Sequence, residues 1–303
     1  MNRSLIITLS NIGDLVMTTP VMEAVSMLTP AKSVDVLADL RSSELLESAP
    51  YVSTIFHRRK KAGYMQQMAL LKNLRLTKYD LIVDLRTWFL PYLLLSKHHY
   101  IKNRKQYFGS HAVEEHYSTI RRLGQVPSSA PDCKIYVDES SLIAAESMTK
   151  SLPAGKWLAV APGANWPGKK WPAKNYGQLI KMVSKNQIFQ AVVILGSEKD
   201  FSTDLMIDFK NLSVLDLRGK TSLKIVAAIL SKTNLFVGND SGLGHIAAAV
   251  GAKTLTLFGP GNPDRYRPWG KKGRIVISPN QDLQLLAVKE VSEAVGRIML
   301  EET

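Results

Sequence analysis

The stretch Val237–Pro260, VGNDSGLGHIAAAVGAKTLTLFGP, constrains this chain more than any other. It reads as a buried strand ending at Gly238-Asn239-Asp240, a helix from about Gly242 to Val250, a glycine stop at Gly251, and a second strand over Thr254–Phe258. Asn239, Asp240 and Ser241 are residue types whose side-chain oxygens accept the free amides of a helix start. Gly242 and Gly244 clear side chains from the first turn, so a ligand can approach the backbone. A helix start at the carboxyl end of a parallel strand offers an anion unpaired N–H groups and a positive dipole end. The corner reads as a seat for a diphosphate or a sugar. Taken singly, the same residues serve equally as plain caps and as close packing of helix on strand. Four polar types in one corner, followed by a second corner at Gly259-Pro260-Gly261, favour the seat.

The same alternation runs along the chain. Ser4–Ser10, Val34–Ala38, Thr54–Phe56 and Leu81–Leu85 are strand candidates. Helical patterns lie between or after them, from the NIGD corner to Leu28 and over Ser42–Ser48, Met65–Leu76, Trp88–Ser96 and Val113–Leu123. Gln125–Ala130 reads as a linker, Ile135–Val137 as a short strand and Ser140–Ser151 as a helix. A second alternation starts at Trp157. Strands fit Leu158–Ala161, Ala191–Leu195, Val214–Leu217, Leu235–Val237, Thr254–Phe258 and Arg274–Ile277. Helices fit Ala173–Ser184, Asp200–Lys210, Ser222–Ser231, Gly242–Val250 and finally Leu283–Glu301. The expected fold is α/β, with two Rossmann-like, doubly wound domains facing a central cleft. The domain boundary falls within 125–155, giving an N-terminal domain over 1–150 and a C-terminal one over 151–303, whose last helix has the option of packing back toward the first.

Charge narrows the partners. The net charge is +13, and Tyr51–Ser110 holds twelve Lys/Arg against only Asp80 and Asp84. The excess sits in HRRKK (57–61) and KHHYIKNRK (97–105), and such a field attracts phosphates, nucleic acid or an anionic membrane surface, unless it is only a solvated face. No nucleic-acid-binding motif accompanies these clusters, which ranks anionic lipid or saccharide above nucleic acid. The short apolar start meets Asp14 too early for a signal peptide, and no stretch is long enough to span a bilayer. Cys133 is the sole cysteine, so no intrachain disulfide forms and a cytoplasmic setting is expected.

Three more corners carry candidate chemistry. Asn11-Ile12-Gly13-Asp14 follows the first strand and thrusts Asp14 out at a helix start, where a carboxylate can take a proton from an attacking hydroxyl. A plain helix-stabilising carboxylate is the alternative there. Ala161–Pro172 (APGANWPGKKWP) is the matching corner of the second domain, where Gly163 and Gly168 leave backbone accessible and Lys169 and Lys170 supply cations to a phosphate. It is not a Walker A loop. Glu198 follows the next strand and suits a ribose, or only its own helix turn; His245, one turn into the central helix, suits a sugar or phosphate, or only the core. No D-x-D, no zinc spacing and no GxSxG occurs, which favours a metal-independent mechanism without a hydrolase nucleophile.

Together NIGD, PGANWPGKKWP and GNDSGLGHIAAAVGAKTLTLFGP resemble the bacterial lipopolysaccharide heptosyltransferases of glycosyltransferase family nine, in order and spacing over nearly the whole chain. The resemblance implies a GT-B architecture, with an acceptor-binding N-terminal and a donor-binding C-terminal domain. It implies inverting transfer of heptose from ADP-L-glycero-D-manno-heptose to the lipopolysaccharide inner core, peripherally at the anionic inner leaflet of the cytoplasmic membrane. By motif position Asp14 is the general base, Lys169 neutralises the diphosphate with amides around Ser241 and Gly242, and Asp240 holds sugar hydroxyls. Glu198 lies near the nucleoside and His245 beside the diphosphate. Arg58, Arg59, Lys60 and Arg104 are the acceptor-side candidates. The ADP-sugar is a substrate, so no cofactor and no metal is expected. Two other classes stay open from sequence: a nucleotide-sugar epimerase of the same architecture, and a non-catalytic membrane-peripheral binding protein.

Overall fold

A computed structural model describes residues 3–102, 111–200, 205 and 212–301. The chain divides into two units between Tyr136 and Val137, inside the 125–155 window.

The first unit runs β1 (Ser4–Ile7), α1 (Ile12–Val16), α2 (Thr19–Ser26), β2 (Val34–Asp39), β3 (Val52–Arg58), α3 (Tyr64–Arg75), β4 (Leu81–Asp84), α4 (Leu90–Leu93), β5 (His98–Ile101) and α5 (Ala112–Arg121). Its five described strands are all parallel, in the order β3-β2-β1-β4-β5. β1, β2 and β4 are buried throughout, which explains their near-continuous apolar reading.

The second unit runs α6 (Glu139–Thr149), β6 (Trp157–Ala161), α7 (Ala173–Lys185), β7 (Ala191–Ile194), β8 (Ser213–Asp216), α8 (Leu223–Ser231), β9 (Leu235–Asn239), α9 (Gly242–Ala249), β10 (Lys253–Phe258), α10 (Pro263–Tyr266), β11 (Gly273–Ile277) and α11 (Val288–Leu300). Its six described strands are parallel in the order β11-β10-β9-β6-β7-β8. Strands β6, β7, β9 and β10 form its core with one face each of α7 and α11. In α11 that face is Val291, Ala294, Val295 and Ile298, the spacing of a helix with one buried stripe. In both sheets the strand order reverses once, between β1 and β4 and between β6 and β9. In doubly wound sheets ligands sit outside the carboxyl ends at such a reversal.

Several expectations need correction. α6, grouped by sequence with the first domain, packs against α8 of the second unit. Ile135–Val137 forms no strand, and just before it the Lys134 amide is taken by the Thr19 hydroxyl at 3.2 Å. The pattern over Trp88–Ser96 yields only the four-residue α4, since Leu95 takes φ 51°, a left-handed conformation that stops a helix. The helix read up to Leu28 breaks into α1 and α2 around Thr18, whose hydroxyl bonds Leu15 O at 2.6 Å. Ser42–Ser48 holds only a 3-10 turn over Ser43–Leu46. The final helix starts at Val288, preceded by a 3-10 turn over Leu283–Leu285. β5 is an edge strand that the sequence reading lacks. The helix expected over Asp200–Lys210 falls mostly outside the described residues; Asp200 closes a 3-10 turn.

Candidate functional site

The second sheet's reversal brings the loop after β6 beside the start of α9. Lys169, at the end of a 3-10 turn over Pro167–Lys169, donates from Nζ to Asp240 Oδ2 at 2.5 Å. Asp240 immediately follows β9, and its side chain is only 9% exposed. A Cβ at Gly261 would stand 2.6 Å from the same Oδ2, so the glycine of the β10 corner makes room for this carboxylate. Ser241 caps α9 in position only: its hydroxyl makes no capping bond and is buried without a partner. Gly242 opens the helix and His245 lies buried on it. Lys169, Asp240, Ser241 and Gly242 are thus gathered at one corner, with His245 one turn into the helix. Glu198 is exposed after β7, one strand away.

What holds this corner together is Asn239. Fully buried, it accepts from the Trp171 amide and the Tyr176 hydroxyl, both at 3.0 Å, and donates to Pro162 O at 2.8 Å and Gly163 O at 3.4 Å. A residue read as a helix cap is therefore the clamp that fixes the lysine-bearing loop to β9. Trp171 supplies a second anchor, bonding Leu286 O at 3.0 Å and meeting Tyr176 edge-on at 4.9 Å.

Two glycines also differ from their reading as open backbone. A Cβ at Gly163 would stand 2.4 Å from the Asp200 carboxylate, and one at Gly168 would stand 3.0 Å from the Trp166 ring. Their space is filled by the protein itself. Asp200 is buried, accepts from the Ser197 amide at 3.0 Å and hydroxyl at 2.7 Å, and pairs with Lys170 at 3.4 Å. Its carbonyl takes a 2.7 Å bond from Arg218, which also forks onto Asp216. Burial pushes the Asp216 carboxyl up, but the Arg218 hydrogen bonds outweigh it and hold it below its ordinary value. Lys170 is thereby committed to a structural pair.

The first sheet's reversal gathers a different set. Asp14 sits in the first turn of α1 and accepts from Asn11 Nδ2 at 2.8 Å. Arg58, ending β3, donates to Ser10 Oγ at 2.6 Å, and Arg86, just past β4, donates to the same oxygen. Arg41 reaches Ser10 O at 3.5 Å while bonding Asp39 from Nε at 2.8 Å. Asp84, beneath, accepts from the amides of Arg86 at 2.9 Å and Thr87 at 2.7 Å, and from the Thr87 hydroxyl. Burial, then the neighbouring charge of Arg86, pulls Arg58 below its ordinary value, and burial acts likewise on Arg86. Two guanidinium groups are held on one hydroxyl against their mutual repulsion. Of the acceptor-side candidates Arg58 joins this cluster. Arg59 and Lys60 are exposed beyond the end of β3 and make no contact with it, and Arg104 lies outside the described residues. Arg41 and Arg86 were missed; each follows a strand-ending aspartate by two residues, a spacing visible in the sequence once the strand ends are known.

The model of glycosyltransferase family 9 (heptosyltransferase) matches residues 91–293, about two-thirds of the chain. The chain belongs to this family. Lipopolysaccharide heptosyltransferase 3 of Escherichia coli K12 is 24% identical over 288 residues, covering 85% of this chain and 82% of its own. Among solved structures, E. coli ADP-heptose lipopolysaccharide heptosyltransferase II superimposes with a TM-score of 0.83 at 23% identity, covering 99% of both chains. E. coli heptosyltransferase WaaC with ADP-2-deoxy-2-fluoro heptose matches at a TM-score of 0.74 and 20% identity, over 97% of this chain and 99% of that one. These likenesses give the family-9 chain its fold class, the GT-B pairing of two Rossmann-like units.

Among the described residues of this family-9 chain no group of three His, Cys, Asp or Glu side chains is placed to hold a metal ion. No described helix is long and apolar enough to cross a membrane.

Proposed function

We propose that this chain moves heptose from ADP-L-glycero-D-manno-heptose to the inner core of lipopolysaccharide, with inversion at the anomeric carbon and without a metal ion. The observation that carries the reading is the Lys169–Asp240 pair at the reversal of the second sheet, beside the start of α9. The names of the relatives support the sugar and the acceptor, and the analogue bound to WaaC supports the donor.

The residues divide the work as follows. Asp14 removes the proton from the acceptor hydroxyl, whose oxygen attacks the anomeric carbon from the face opposite the diphosphate. The carbon–oxygen bond to the β-phosphate breaks, its electron pair stays on the phosphate oxygen, and ADP leaves. Lys169 and the amides at Ser241 and Gly242 stabilise that charge, already in place and needing no reorganisation. Asp240 orients Lys169 and takes sugar hydroxyls; the unpartnered Ser241 hydroxyl is available to a phosphate oxygen. His245 stands behind the diphosphate and Glu198 toward the nucleoside. Arg58 and Arg86, with Arg41 behind them, attract the acidic groups of the acceptor, and Arg59, Lys60 and Arg104 add to the long-range field.

The test is a mass-spectrometric transfer assay offering ADP-heptose, other ADP-sugars and UDP-sugars to a panel of truncated lipopolysaccharide cores. The expected result is a heptose-sized mass gain on one core with ADP-heptose alone. Donor consumed without a glycosylated core would replace transfer by rearrangement, and a gain from a UDP-sugar alone would overturn the donor.

A further inference from the structure

The loop that carries Lys169 holds two tryptophans with opposite fates. Trp171 is buried, with its indole N–H on Leu286 O. Trp166 is 52% exposed, the one exposed aromatic ring among the described residues of the second unit. Aromatic side chains carry a large burial gain, so a tryptophan left in solvent on an anchored loop needs a cause. An isolated exposed apolar side chain is ordinary where nothing holds it. This one is held. Pro167 restricts its backbone to the extended region, at φ −137° and ψ 136°. Its carbonyl accepts from the Lys169 amide at 3.0 Å, closing the 3-10 turn over Pro167–Lys169. Its ring lies against Gly168, where a Cβ would stand 3.0–3.3 Å from three ring carbons. Asn239 ties both ends of the loop to β9, through the Trp171 amide and the Pro162 and Gly163 carbonyls. The ring is thereby placed before any ligand arrives, and a preorganised group loses little freedom on binding.

The neighbours select the ligand. Lys169, at the other end of the same turn, pairs with Asp240. A molecule that sets a phosphate on the lysine and hydroxyls on the carboxylate is a glycosyl phosphate, and its sugar then lies at this turn. A pyranose carries hydroxyls around its rim and C–H groups on its faces. An aromatic ring covers such a face by dispersion and by attraction of the C–H groups to its π system. The indole N–H makes no hydrogen bond to a described residue, which leaves it to donate to a sugar hydroxyl. A nucleobase also stacks on aromatic rings. The side of the loop toward Glu198, however, is filled: the Asp200 carboxylate closes over Gly163, and Lys170 is paired with it. The open ring belongs to the lysine end.

We propose that Trp166 is a stacking platform for the pyranose of the donor, and that it makes the second unit prefer a sugar nucleotide to the free nucleotide. The same preference lets the spent nucleotide leave, because the platform has nothing to hold once the sugar is transferred. The choice of heptose as that sugar rests on the transfer reading; the platform itself rests on the ring, the lysine and the aspartate.

The test is calorimetry of ADP-heptose and of ADP on the parent chain, Trp166→Ala and Trp166→Phe, beside the transfer assay. Trp166→Ala should weaken ADP-heptose about tenfold, the effect of leaving roughly 55 Å² of apolar ring unburied, and ADP by less than about twofold. Its melting temperature should match the parent's, since the ring is exposed. Trp166→Phe keeps a ring without the N–H and should recover most of the donor affinity. Equal loss for ADP and ADP-heptose would overturn the proposal by placing the ring on the nucleobase. Unchanged donor binding would also overturn it, whether the KM for the acceptor core rises, which would put the acceptor sugar on the ring, or nothing changes. A parent that transfers heptose while Trp166→Ala binds donor normally would sink the platform and leave the transfer reading standing. Where the parent takes its sugar from another nucleotide, that donor and its free nucleotide replace the pair, and the same difference decides the platform. A parent that binds no sugar nucleotide would overturn both.

Discussion

Replacing Asn239 by alanine tests whether the lysine-bearing loop is held by one side chain. The residue is fully buried and makes four hydrogen bonds, three of them at 3.0 Å or shorter. Alanine orphans the Trp171 amide and the Pro162 carbonyl in a region closed to solvent and leaves the Tyr176 hydroxyl only its 3.4 Å bond to Ala161 O. Each such group costs about 1–3 kcal/mol, and partial rescue by a water in the vacated space brings the total to roughly 3–5 kcal/mol. For a unit of this size that is about 6–20 °C in melting temperature. Because Lys169 rides on the loop, the KM for the donor should rise with it. Asn239→Asp sharpens the test. It keeps the oxygen that accepts from Trp171 and Tyr176 but sets a second oxygen where Nδ2 now donates to Pro162 O at 2.8 Å. Burial raises that carboxyl, so the folded state binds a proton that the unfolded chain lacks. The deficit is then full above the raised value and shrinks as pH falls toward the ordinary carboxyl range near ~4. Thermal melts of the three proteins between pH 8 and pH 5 give the readout. A deficit below about 1 kcal/mol for alanine, or one for aspartate that is flat with pH, would refute the clamp.

Four further outcomes follow from the two sites. Asp14→Asn should lower transfer about 10²–10⁴-fold while leaving donor affinity unchanged, as measured by steady-state kinetics and ADP-heptose calorimetry. Equal loss of donor binding would remove Asp14 from the role of base. Lys169→Met should cost about 10²–10³ in rate and, by leaving the enclosed Asp240 carboxylate unpaired, roughly 1–3 kcal/mol of stability. Adding Asp240→Asn should restore melting but not rate; recovery of rate would refute the lysine's part in leaving-group departure. Asp39 and Asp216 are pushed up by burial but held low by Arg41 and Arg218, so their contribution is complete above pH ~4 and is lost as pH falls further. Urea midpoints between pH 6 and pH 3 should therefore fall more steeply for the parent than for Asp216→Asn, and matching slopes would count against it. Transfer should persist in excess EDTA, whereas loss restored by a divalent ion would overturn the metal-free mechanism.

The strands and their parallel arrangement were legible because β1, β4, β6, β7, β9 and β10 are buried almost throughout, leaving apolar runs that few other structures produce. β5 was not, because an edge strand reading His98-His99-Tyr100-Ile101 is half exposed and carries no such run. Asp14, Lys169 and Asp240 were each legible as polar residues in the corners that follow strands. The bond between Lys169 and Asp240 was not, since it joins loops 71 residues apart. Asn239 was misread for the same reason. Beside a helix start an asparagine looks like a cap, and only the fold turns its side chain back across 68 residues to Trp171. The glycines at 163 and 168 misled in a complementary way: a missing side chain shows that something comes close, but not that Asp200 and Trp166 are what comes.

Both units share one strand order around their reversal, so topology alone does not decide which ligand each receives; charge does. In the second unit a single lysine meets a single aspartate, and the pair is neutral until a diphosphate competes for the cation. In the first, Arg58 and Arg86 converge on the neutral hydroxyl of Ser10, with the attraction of Asp39 and Asp84 acting on both but outweighed by their burial. A chain selected only to fold gains little from pressing two desolvated guanidinium groups onto one serine, since both are driven below their ordinary pKa there. An incoming phosphate or carboxylate reverses the sign of that arrangement, because it relieves the repulsion and accepts from both groups at once. In the proposed reaction the first unit would thus attract a fixed anionic group beside Asp14, and the second a charge that grows as the leaving group departs. Under the transfer proposed above, that difference would be a physical reason for one fold, used twice, to take an acidic acceptor in one unit and a diphosphate donor in the other.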